Sequence, residues 1–116
     1  MLNQLLLRKY SGKTPQEVKD LIDNSKNKLF ILDVREQWEY DICHIKDSIH
    51  IPMGKIANDN GNLETSDNIV VVCHHGIRSR MVAKYLIANG YVNVMNLTGG
   101  LDAWSTNIDP SMPKYV

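Results

Sequence analysis

The residues best placed to do chemistry are Cys73-His74-His75-Gly76-Ile77-Arg78-Ser79. They follow Ile69-Val70-Val71-Val72, an unbroken β-branched run, and precede a helical pattern. A cysteine between a buried strand and an opening helix faces the backbone N–H groups of the turn, as anions do at helix N-termini. Gly76 lets that turn curl through dihedrals other residues resist. Arg78 adds a permanent positive charge with a fork of donors. This setting favours thiolate over thiol, and the thiolate is the nucleophile. The plain alternative is a structural cysteine closing a strand.

Other residues belong near the same edge. Asp33 and Arg35 end a second apolar run, Leu29-Phe30-Ile31-Leu32. Asp33 is expected to hold loop amides and Arg35 to pair with a carboxylate such as Glu39. His74 and His75 ring the pocket mouth, where they contact substrate or merely shape the loop. A metal bound by Cys73, His74 and His75 is not expected, because three adjacent residues converge poorly on one tetrahedral ion. Cys43 is a second thiol, either a partner for Cys73 or a small apolar filler.

The elements that must position these residues alternate along the chain. Thr14-Pro15-Gln16-Glu17 is a helix start with a capping box, followed by the apolar face Val18, Leu21, Ile22. Unbroken runs without polar alternation suit strands covered on both faces, hence a parallel sheet. Shorter strands are expected at Ser48–Ile51 and Val94–Leu97, with helices over 36–42 and from Leu101 to Trp104. After Ser79, Met81, Val82, Tyr85 and Leu86 make an apolar stripe that stops at Asn89-Gly90. Trp38, Tyr85 and Trp104 are expected to pack, and Gly99-Gly100 to serve a close approach or a helix start. The fold class is therefore α/β, three layers, with a mainly parallel central sheet flanked by helices.

At 116 residues one domain is expected, with its core over about 10–104 and an irregular tail over 105–116. Thirteen basic and thirteen acidic side chains cancel, which argues against a nucleic-acid partner. Two cysteines are too few for a disulfide scaffold. No secretory pattern or membrane-length apolar run is present, so a cytoplasmic location is expected.

Several motifs together resemble the single-domain rhodanese family. They are Asp33-Val34-Arg35-Glu36 with Glu39-Tyr40 and His44-Ile45, then Ile49-His50-Ile51-Pro52, Cys73 to Ser79, and Leu97-Thr98-Gly99-Gly100-Leu101-Asp102-Ala103-Trp104. The resemblance implies a rhodanese-like fold and a sulfurtransferase. Cys73 would take sulfane sulfur from a donor such as thiosulfate, hold it as a persulfide, and pass it to cyanide, a thiol or a protein. No metal or organic cofactor is implied. Cys43 stands where relatives usually carry glycine, and Lys46-Asp47 replaces a Pro-Gly turn. Rival readings are a non-catalytic binding module and a cysteine phosphatase or arsenate reductase. Four residues separate Cys73 from Arg78, one fewer than in phosphatase loops, which favours a single sulfur over a tetrahedral phosphate.

Overall fold

A computed structural model describes residues 9–24, 26 and 28–115. Five strands form one sheet in the order β1 (Ser11–Lys13), β5 (Asn93–Leu97), β4 (Asn68–Val72), β2 (Leu29–Asp33), β3 (Ile49–His50). Every pair is parallel. The connections contain α1 (Pro15–Asn24), α2 (Gln37–Ile42), a 3-10 turn (Met53–Lys55) and α3 (Ile77–Ala88); α4 (Gly100–Asn107) follows β5.

Alternation along β4 divides the core. Ile69, Val71 and Cys73 join Val82, Ala83 and Leu86 of α3 on one face. Val70 and Val72 join Val18 of α1 and Leu101 and Trp104 of α4 on the other. Successive strand side chains point to opposite faces, so a strand covered by helices on both sides carries no polar residue from Ile69 to Val72. That is the parallel three-layer α/β arrangement expected.

Local chemistry starts the helices. At α1 the Thr14 hydroxyl accepts from the Glu17 amide at 3.1 Å and the Glu17 carboxylate accepts from the Thr14 amide at 2.9 Å. The same reciprocal box joins Glu36 and Glu39 at α2. Gly76 and Gly99 precede α3 and α4 in left-handed conformations.

Several expectations need correction. The stripe on α3 is half wrong: Val82 and Leu86 are buried, whereas Met81 and Tyr85 are 58% and 40% exposed, and Ser79 and Ala83 complete the buried face. Trp104 packs, but Trp38 is 56% exposed. Ile22 also stands outside the core, so of the expected apolar face Val18 is buried and Leu21 only in part, with Pro15 the other buried residue of α1. Helix α4 runs past Trp104 to Asn107. The segment after it is irregular yet docked, with Met112 buried and its carbonyl accepting from the Ser105 hydroxyl at 2.7 Å. Strand β1 carried no apolar run to announce it, since Ser11-Gly12-Lys13 pairs only at the sheet edge with Met95, Asn96 and Leu97.

Candidate active site

The carboxyl ends of β2 and β4 lie side by side, with Asp33 paired to Val72. Crevices at such ends are where open α/β sheets bind ligands. Cys73 leaves β4 there, 1% exposed. Its Sγ accepts from the Gly76 amide at 3.1 Å and the Ser79 amide at 3.3 Å, and the Ser79 Oγ lies 3.3 Å away. The loop thus wraps its own donors and the first turn of α3 around one sulfur. The curl depends on Gly76 at φ +99°, where a side chain would be strained.

A second seam holds the loop from behind. The Leu101 amide donates to the Cys73 carbonyl at 2.8 Å, and the Asp102 amide donates to the His74 carbonyl at 3.1 Å. The two chains touch so closely that a Cβ on Gly100 would sit 2.5 Å from the Cys73 carbonyl oxygen and nearer still to that of His74. Gly99-Gly100 therefore serves both a close backbone approach and a helix start.

Charges beside the loop are paired in a chain. Arg78 grips Glu39 through two bonds, Nη1 to Oε1 at 2.5 Å and Nη2 to Oε2 at 2.8 Å. The Tyr115 hydroxyl donates to Glu39 Oε2 at 2.6 Å and accepts from Arg35 Nη1 at 3.0 Å. Arg35, wholly buried, forks onto Asp33 at 2.9 and 2.7 Å. Burial opposes ionisation of Glu39, yet the bonds from Arg78, Tyr115 and the Glu36 amide prevail and lower its pKa to about 2. Burial and the bond to Glu39 push the Tyr115 phenol up to about 12, so it stays a neutral donor. Burial, together with the nearby His75 and Arg35, lowers the pKa of His74 despite Asp102 and Glu39.

Comparison with known proteins settles the family. Residues 14–107 match the rhodanese-like domain. The chain belongs to the rhodanese-like domain family. It is 33% identical over 82 residues to thiosulfate sulfurtransferase GlpE of Coxiella burnetii, covering 71% of this chain and 77% of that protein. It is 38% identical over 82 residues to the putative sulfur carrier protein YrkF of Bacillus subtilis, covering 71% of this chain and 44% of the relative. Against the adenylyltransferase and sulfurtransferase UBA4 of Candida albicans the identity is 33% over 110 residues, 88% of this chain and 25% of UBA4. This chain thus spans a quarter of UBA4 and less than half of YrkF. A crystal structure of a rhodanese-like domain protein from Staphylococcus aureus superposes with TM-score 0.75 at 33% identity, covering 81% of this chain and 90% of that one.

In this rhodanese-like domain the expected site residues divide. Cys73, Gly76 and Ser79 converge on the sulfur. Ile77 points outward at 61% exposure, and the His75 side chain is 62% exposed. Asp33 does hold a loop amide, that of Arg35, at 3.1 Å. The pairing expected for Arg35 is corrected: its carboxylate partner is Asp33, and it meets Glu39 only at the backbone carbonyl, 3.3 Å away. Glu39 belongs to Arg78 because α2 carries that carboxylate to the first turn of α3. Cys43 and Cys73 are both free thiols. Cys43 packs with the cluster on the face opposite that of Cys73, its Sγ 4.0 Å from Arg35 Nη1. Sequence reasoning missed Glu39 as the partner of Arg78, although its place in the Glu36–Glu39 capping box was a signal. It missed Tyr115 altogether, and no local pattern announces it.

Proposed function

We propose that this domain is a sulfurtransferase that carries sulfane sulfur as a persulfide on Cys73. The Cys73 thiolate attacks the outer sulfur of thiosulfate; the S–S bond breaks and sulfite leaves with its electron pair. Cyanide, a thiol or a protein acceptor then attacks the terminal sulfur and regenerates the thiolate. The observation that carries this reading is the ring of Gly76 and Ser79 donors on Sγ. Preorganised N–H groups favour negative charge on the Cys73 sulfur, both in the attacking thiolate and when that thiolate is released as the acceptor takes the outer sulfur. Arg78 stands in the first turn of the same helix, its guanidinium fixed in place by Glu39.

The relatives support the same class, since one is named a thiosulfate sulfurtransferase and another a putative sulfur carrier protein. The scheme uses no metal or organic cofactor, because the sulfur is carried covalently. The proposed setting is the cytoplasm, with no nucleic acid and no membrane as partner. Among the described residues no helix is long and apolar enough to cross a membrane.

The test is the intact mass of wild type and Cys73→Ser after incubation with thiosulfate. A gain of one sulfur atom, reversed by cyanide and absent from the variant, is the expected result. A wild-type protein that takes up no sulfur would overturn the thiosulfate scheme.

A further inference from the structure

Beside the Cys73 sulfur, the loop holds a second group of donor atoms that the transfer scheme does not use. His74, His75 and Asp102 each bring one ligand atom, and all three atoms lie within 4.8 Å of one another. Two come from the active loop and the third from the first turn of α4. The weakness of a site built from adjacent residues alone is thereby removed, because an independent element supplies the third ligand.

The group is held in place by the backbone. The Asp102 amide donates to the His74 carbonyl at 3.1 Å, so the two ligand-bearing segments are sutured together. The imidazoles are neighbours, with ring centroids 4.0 Å apart and planes tilted by 46°. His75 Nε2 lies 3.9 Å from Asp102 Oδ2. His74 Nδ1 is buried without any hydrogen-bond partner, an orphaned lone pair or N–H of the kind native structures satisfy.

We propose that His74, His75 and Asp102 form a site for a divalent transition-metal ion of the zinc class. Two imidazoles and one carboxylate are a ligand set suited to such an ion, and three protein ligands leave a fourth position open. Bond lengths of about 2.0–2.2 Å put tetrahedral donors about 3.4 Å apart. Donors that lie within 4.8 Å must therefore close by up to about 1.4 Å. The His75 side chain, 62% exposed, has room to swing toward the other two, while the backbone bond from Asp102 to His74 holds their segments together. The Lys114 ammonium, 3.8 Å from Asp102 Oδ1 and exposed, is the cation the metal displaces.

The test is a titration of the whole chain with Co2+ followed by visible absorption, with Zn2+ as competitor. Wild type, Cys73→Ser, His75→Ala and Asp102→Asn are compared, the last two at an exposed and a partly exposed position, with folding of each variant checked by circular dichroism. The expected result is one equivalent of Co2+ with ligand-field bands, displaced by Zn2+ and unchanged in Cys73→Ser. Each of His75→Ala and Asp102→Asn should weaken binding at least tenfold, about 1.4 kcal/mol. Absence of a stoichiometric band in wild type, loss of the band in Cys73→Ser, or less than tenfold weakening in either ligand variant overturns the site. Sulfur uptake does not enter this readout, so failure of the persulfide scheme leaves it intact.

Discussion

Replacing Glu39 by glutamine tests whether the charge chain beside the loop contributes as its geometry implies. The Glu39 side chain is 4% exposed and its carboxylate takes both Arg78 bonds. Its pKa falls from 4.5 to about 2. At about 1.36 kcal/mol per unit, the shift amounts to roughly 3 kcal/mol. The Arg78 side chain is 30% exposed, so solvent screening reduces this to about 2 kcal/mol. The folded pKa is the lower one. The stabilisation is therefore complete above the unfolded value of about 4.5 and lost as pH falls from there through about 2. Urea unfolding of wild type and Glu39→Gln across this range checks it. The variant should be about 2 kcal/mol less stable at pH 7, and the gap should close between pH 4.5 and 2. Titrations shared by both proteins cancel in the difference. A gap that is absent at pH 7, or one that persists unchanged to pH 2, would refute the assignment.

Tyr115→Phe removes the hydroxyl between Arg35 and Glu39 and should cost about 1–2 kcal/mol by urea unfolding. Combined with Glu39→Gln the loss should be less than additive, because both changes cut the same bond. Asp33→Asn leaves a wholly buried Arg35 without its counter-charge, and a loss of about 3–5 kcal/mol is expected by the same assay. Gly100→Ala places a methyl group into the Cys73 and His74 carbonyls at φ +64°. The loop must shift, so thiosulfate-dependent sulfur uptake measured by intact mass should slow sharply, with a stability loss of about 2 kcal/mol or more.

Much of the framework can be read along the chain. Buried parallel strands must be apolar on both faces, so Phe30–Leu32 and Ile69–Val72 declare themselves without any knowledge of their neighbours. Capping residues act within three positions, which makes the start of α1 legible at Thr14 and Glu17. The cysteine loop was equally local, since a cysteine, a glycine and the opening turn of one helix complete the ring of donors on Sγ. Helix faces were less so. Met81 and Tyr85 fit an apolar period, yet the sheet and the segment after β3 cover only the side of α3 that carries Ser79, Val82, Ala83 and Leu86.

What the sequence by itself determined is therefore the set of elements whose causes lie within a few residues: the two central strands, the caps and the cysteine loop. Tertiary structure alone decided which charges meet. Arg35 reaches Asp33 two residues away, whereas Glu39 meets Arg78 across 39 positions and Tyr115 across 76. Both arginines were visible, and both carboxylates were within reach on paper. The strand order β1-β5-β4-β2-β3 brings β2 beside β4, and so places α2 against the opening of α3. Such pairings follow from where backbone packing delivers the side chains, and a charge carries no local mark of the partner it will be brought to.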